Sequence, residues 1–177
     1  MNTTKAEFNF RMEWKDDIPI FAGVEPNLEW KEIPWKKLEK RVFKLQKRIY
    51  KASSRGDVKT TRRLQKTLMR SWAAKCLAVR RISQDNQGKK TAGIDGVKSL
   101  TPTQRLSLVA NLRLSHKAKP TKRVWIPKPG TEEKRPLGIP TMTDRAKQAL
   151  VKLALEPEWE ARNEAKFIRL PPWTLMP

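Results

Sequence analysis

Lysine and arginine dominate the chemistry this sequence can do. There are 39 of them against 18 aspartates and glutamates, a net charge of +21. A compact chain with that excess repels itself unless a polyanion neutralises it. Phosphate backbones do so through Coulomb attraction and counterion release. Spacing sharpens the point. Lys36, Lys37, Lys40, Arg41, Lys44, Lys47, Arg48 and Lys51 crowd one short segment, with Glu39 the only carboxylate among them. A charge run on a helix is ordinarily a solvated face, but the scarcity of internal counter-charge here points to phosphate contact. A second set follows: Lys59, Arg62, Arg63, Lys66, Arg70, Lys75, Arg80 and Arg81.

Other chemistries find few residues. Cys76 is the only cysteine, which excludes an internal disulfide or a cysteine-based metal site. It reads as a small core residue rather than a nucleophile. His116 is the only histidine and reads as a solvated loop residue. Asp16 and Asp17 are adjacent but lie in an acidic arm. Residues 1–34 hold four basic and seven acidic side chains, a balance of −3 that leaves +24 on the rest of the chain. No basic start followed by an apolar run marks a secretory signal, and no stretch approaches about 18 apolar residues. The expected location is intracellular, in bacterial cytoplasm or an organelle, with no membrane partner.

These cations need elements to position them. Residues 1–33 have weak periodicity and are expected to form a loosely ordered arm that packs its aromatics somewhere. Over 34–54, Trp35, Leu38, Val42, Leu45, Ile49 and Ala52 recur every three or four residues, which predicts one apolar face on a helix. Pro34 suits its first turn. After a turn at 53–57, a second helix is predicted over 57–83, with Val58, Leu64, Leu68, Trp72, Cys76 and Val79 inward and the basic set outward. The two should pair as an antiparallel hairpin. Thr101-Pro102-Thr103-Gln104 opens a third helix with a capping box, and Leu106, Val109 and Leu112 form its core face. From 120 the period becomes strand-like. Arg123-Val124-Trp125-Ile126-Pro127 and Arg135-Pro136-Leu137-Gly138-Ile139-Pro140 flank Lys128–Lys134, a β-hairpin with a mobile, charged tip. Thr141 or Thr143 caps a fourth helix through about Ala161, buried at Ala146, Leu150, Leu153 and Ala154, with Pro157 a break or kink. The fold class is therefore α+β, mainly α: a helical hairpin, further helices and one small antiparallel β-hairpin.

In order along the chain, several blocks resemble reverse transcriptases encoded by group II introns. They are the helix around Leu45-Gln46-Lys47-Arg48-Ile49-Tyr50, the run Ala78-Val79-Arg80-Arg81-Ile82, and the turn-rich Gln84-Asp85-Asn86-Gln87-Gly88…Thr91-Ala92-Gly93-Ile94-Asp95-Gly96-Val97. Then come Arg123-Val124-Trp125-Ile126-Pro127-Lys128-Pro129, Lys134-Arg135-Pro136-Leu137-Gly138-Ile139-Pro140-Thr141, Asp144-Arg145-Ala146 and Ala154-Leu155-Glu156-Pro157-Glu158-Trp159. Each block is weak alone, and the ordered set over roughly 30–164 is specific. The resemblance implies a division into a helical RNA-binding extension over 34–118 and partial fingers over 119–164. It implies that the extension grips group II intron RNA, as in splicing and mobility, or the template during cDNA synthesis, and that the hairpin is a fingertip closing over an incoming nucleotide. Lys128 and Arg135 then match cations that neutralise a triphosphate. Lys122-Arg123 stands where many members have an arginine pair, which weakens a bidentate role there.

The family polymerises with two Mg2+ ions held by carboxylates, including a Tyr-x-Asp-Asp box. No such box occurs in the sequence, so no metal or other cofactor is expected in this chain, and it is expected to be inactive alone. The family continues past this point with Pro-Asn-Ser-Tyr-Gly-Phe-Arg-Pro-Gly-Arg-Ser. Codons permitted for residues 164–177 and a stop, read one base over, encode that run. The expectation is a single-base insertion near Glu164 and an out-of-frame tail over 165–177. Four functions compete on the sequence: an intron-RNA-binding maturase piece, half of a split reverse transcriptase completed by a separately encoded palm and thumb, a stand-alone basic RNA-binding or scaffold protein, and a decayed gene product.

Overall fold

The computed structural model describes residues 14–15, 18–19, 29–86, 88, 91–115 and 117–164. Most of the acidic arm, His116, and the expected out-of-frame tail lie outside them. Within the arm, β1 (Trp14–Lys15) and β2 (Ile18–Pro19) pair antiparallel, Trp14 opposite Pro19 and Lys15 opposite Ile18. The arm's last residues are structural. Trp30 and Ile33 are buried, and the Trp30 indole donates to Gln84 Oε1 at 2.9 Å. The core thus begins before the expected boundary at 33/34, because an indole whose N–H finds a partner is a good core residue.

Five α-helices follow: α1 (Trp35–Ser54), α2 (Val58–Arg70), α3 (Trp72–Arg80), α4 (Pro102–Asn111) and α5 (Met142–Glu164). The α1 face is as its spacing predicts, with Leu38, Val42, Leu45, Ile49 and Ala52 buried and Trp35 half-buried against Trp30, ring centroids 4.9 Å apart. Pro34 stands one residue before the helix rather than in its first turn. Gly56, at φ +72°, makes the turn into α2, and Asp57 caps α2 by accepting from the Thr60 amide at 3.0 Å.

The single helix predicted over 57–83 is two. At Ser71 the backbone is extended (φ −67°, ψ 134°), and its hydroxyl accepts from the Ala74 amide to start α3. The reason is local: a serine side chain offers the chain a cap in place of the helical ladder. The break changes what the following residues do. Ala73, Ala74, Cys76, Ala78 and Val79 are all buried, so α3 runs inside the bundle, where small side chains let helices approach closely. It packs on α1, α4 and α5. Val58, expected inward, is 47% exposed. A five-residue π-helical turn (Arg81–Asp85) ends this stretch, closed by the Asn86 amide on the Arg81 carbonyl at 2.9 Å.

The capping box of α4 forms in full, with Thr101 and Gln104 exchanging bonds at 2.9 and 3.3 Å. Helix α5 packs against α1, α2 and α3. Its Met142, Ala146, Leu150 and Ala154 join one hydrophobic core with residues from α1 to α4. Pro157 neither breaks nor ends it; the helix continues to Glu164. Proline supplies no N–H, so the Leu153 carbonyl loses its helical donor. The Gln46 side chain of α1 donates to that carbonyl at 3.0 Å. Strands β3 (Lys122–Pro127) and β4 (Lys134–Ile139) form the predicted antiparallel hairpin, Lys122 opposite Ile139 and Pro127 opposite Lys134. The fold is mainly helical with a small antiparallel β component, the class read from the sequence.

Candidate nucleic-acid interface

Helices α1 and α2 set the basic side chains on a rigid layer. The burial of Leu38, Val42, Leu45, Ile49 and Ala52 forces the intervening residues outward. Lys36, Lys37, Lys40, Lys44, Lys47, Arg48 and Lys51 are accordingly exposed. They span most of a 20-residue helix, roughly 30 Å at 1.5 Å per residue. Arg41 is half-buried and engaged with the protein. Lys47 lies over the Phe43 ring at 5.3 Å. On α2, burial of Leu64 and Leu68 likewise turns Arg62, Arg63, Lys66 and Arg70 outward. With Val58, Lys59 and Thr67 they line an open groove of about 620 Å³ along the outer face of that helix. No carboxylate lies in the α2 sequence.

Arg80 and Arg81 part company. Arg81 is exposed. Arg80 is held by Glu39 at 3.2 Å, by Asp85 at 4.0 Å and by the Trp35 ring at 4.7 Å. It serves packing between α1 and the π-helical turn, so the basic exterior expected of it is spent on internal partners. Lys75, also expected outside, is half-buried in α3, and burial together with Arg113 lowers its pKa. Burial pushes the Cys76 thiol far up, which leaves a neutral packing group.

The four hairpin cations do not share one face. Side chains of directly opposed residues in an antiparallel pair lie on the same side, and neighbours along a strand alternate. Lys122 and Arg135 therefore share a face with Val124, Ile126, Leu137 and Ile139, while Arg123 lies on the other. Lys128 is at the tip, paired with Glu133 at 3.2 Å. That pair is exposed on both sides, worth little, and easily exchanged for another anion.

What fixes the hairpin to the helices has no signature in the sequence. Arg145, in the first turn of α5, donates to three carbonyls: Pro140 at 3.0 Å, Gly88 at 2.8 Å and Thr91 at 2.7 Å. Asp144 accepts from Thr141 Oγ1 at 2.9 Å, from Lys147 Nζ at 3.2 Å and from the Lys119 amide at 3.3 Å. Burial works to raise its pKa, but the bonds from Thr141, Lys147 and Lys119 outweigh it and hold the carboxyl below the usual range. Asp95 Oδ2 accepts from the Met142 amide at 3.4 Å. Gly93 lies so close to the hairpin exit that a Cβ would sit 2.7 Å from the Pro140 carbonyl oxygen. Gly88, Thr91, Gly93 and Asp95 are thereby locked with β4 and α5 into one junction. Its members stood in the sequence blocks, but nothing in their spacing reveals that three carbonyls meet one guanidinium.

Among the described residues no three His, Cys, Asp or Glu side chains come together as a metal cage. No helix among them is long and apolar enough to cross a membrane. Residues 30–112 match the N-terminal domain of reverse transcriptase. Maturase-like protein 1 of Euglena gracilis is 34% identical over 137 residues, 72% of this chain and 28% of that protein. Protein YkfC of Escherichia coli K12 is 34% identical over 87 residues, 46% of this chain and 23% of its own length. The chain spans under a third of the length of these relatives. The domain match over residues 30–112 and the 34% identity to a maturase-like protein over most of this chain support the N-terminal region of a group II intron reverse transcriptase/maturase.

Proposed function

We propose that this chain binds RNA, the intron RNA of its own family, through the outer faces of α1 and α2. The observation that carries the proposal is the basic exterior those helices present within the matched domain: seven exposed cations on α1, five on α2, and one exposed carboxylate within the two helices, Glu39, already engaged by Arg80. Lysine and arginine on a rigid helical layer meet phosphates without deforming, and each contact releases condensed counterions. Such a surface supplies affinity and register rather than base discrimination. Polymerisation, splicing and intron mobility are assigned to a whole assembly that includes the palm and its carboxylates, in which this region grips RNA.

An electrophoretic shift of the full chain with its cognate intron RNA, beside an unrelated structured RNA of equal length at a stated physiological salt, tests this. Tighter binding of the intron supports the maturase reading. Equal binding of both leaves only a basic RNA-binding scaffold, and no binding of either removes the proposal.

A further inference from the structure

The β3–β4 hairpin has a second face with a different composition. One side holds the hairpin's less exposed residues, with Val124 and Ile126 half-buried and Ile139 buried. The opposite side carries Arg123, Trp125 and Pro127 facing Gly138, Pro136 and Lys134 across the ladder, and every one of these is exposed. Trp125 stands at its centre with 56% of its surface open. An indole is the largest apolar side chain, and leaving one in water forgoes a large burial gain. Its cross-strand partner is the rigid ring of Pro136. Arg123 is two positions back on the same strand, and Lys134 is a diagonal neighbour, each roughly 7 Å away at the backbone. This face holds no carboxylate.

We infer that this face is a stacking platform for a base of a single-stranded nucleic acid, with Trp125 under the base and Arg123 and Lys134 on the flanking phosphates. An open aromatic π-face between unopposed cations is the combination that binds unpaired strands without regard to sequence. The α1–α2 surface has cations but no large exposed aromatic, the composition suited to the phosphates of an already paired helix. A protein partner would also cover an indole, but interfaces are depleted in lysine, and here Lys134 stands beside it. The platform does not depend on RNA binding by α1 and α2.

The full chain carrying Trp125→Ala or Trp125→Phe, titrated with a labelled short oligouridylate and with duplex RNA of equal length, tests the inference. Trp125→Ala should weaken oligouridylate binding roughly fivefold to a hundredfold. Trp125→Phe should recover most of the loss, and duplex affinity should stay within about twofold for both, with an unchanged salt slope because no cation is removed. Arg123→Gln, which removes none of the apolar surface, should lower the oligouridylate salt slope by roughly 0.7. Equal losses on both RNAs, or none on either, overturn the platform. So does a Trp125→Ala chain that binds oligouridylate normally but self-associates less in sedimentation, which would make the face a protein contact. Should Trp125→Ala fail to fold, quenching of tryptophan emission by oligouridylate decides: a smaller quench in Trp125→Phe than in the parent supports stacking, and an equal one refutes it.

Discussion

The helical layer and the β-hairpin hold their cations by different physics. On α1 and α2 each exposed lysine stands on a backbone fixed by a buried neighbour one or two residues away, so position follows from the core. The hairpin has almost no core of its own: Ile139 alone is buried, while Trp125 and Leu137 are 56% and 46% exposed. Its orientation comes from polar bonds at its base, the Arg145 fork and the Asp144 and Asp95 carboxylates. The lesson is that a basic surface made by packing tolerates change side chain by side chain, whereas one made by a polar junction moves as a unit when a single bond is lost.

The strongest way to break that contrast is on the helices. Lys40, Lys44, Lys47 and Lys51 changed together to Gln should weaken RNA binding roughly tenfold to a hundredfold and lower the salt slope by about three, with the melting temperature nearly unchanged. Filter binding across a salt series beside a thermal melt checks this. At the junction, Gly93→Ala puts a Cβ against the Pro140 carbonyl and should cost about 2–3 kcal/mol in urea unfolding. Arg145→Lys keeps the charge but loses the three-carbonyl fork. It should cost about 1–2 kcal/mol, and hydrogen exchange should quicken in β3 and β4 before α1. If α1 quickens equally, junction and core are not separate. Gln46→Met should cost about 1–2 kcal/mol by orphaning the Leu153 carbonyl.

The smallest effect is on pH. Asp144 has a depressed pKa, so its ionised form is favoured by folding. Its contribution is fully present above the unfolded-state value near 3.9 and is lost as pH falls through the folded value. The acid melting of Asp144→Asn should therefore be shallower than the parent's in that window, with a modest loss at neutral pH. A parallel pair of acid curves would show that Asp144 is not the titrating group.

Elements with a strong period are legible in the residues themselves. The α1 stripe and the α4 capping box follow from residue types at fixed spacings, and so do the paired strands. What failed depended on competition between local and distant partners. The break at Ser71 needed the knowledge that its hydroxyl would win over the helical ladder, and it redirected α3 inward. Pro157 signalled a freed carbonyl but could not name Gln46 as its donor, 107 positions away. Arg80 and Arg81 look alike in sequence, and only packing assigns one to Trp35 and leaves the other exposed. The cations of α1 and α2 other than half-buried Arg41 were legible because amphipathicity alone exposes them. The two faces of the hairpin follow from register, which sequence leaves open by one residue.

The Gln46–Leu153 bond has a consequence for the order in which the protein is made. Synthesis runs from the N-terminus at about 5–20 residues per second, so α1 leaves the ribosome roughly 5–20 seconds before the carbonyl that its glutamine serves. During that interval the apolar seam of α1 and α2 lacks the helix that covers it, while their basic faces are already complete. The α1–α2 hairpin thus spends that interval with its apolar seam uncovered, the stretch of synthesis in which misassociation is easiest.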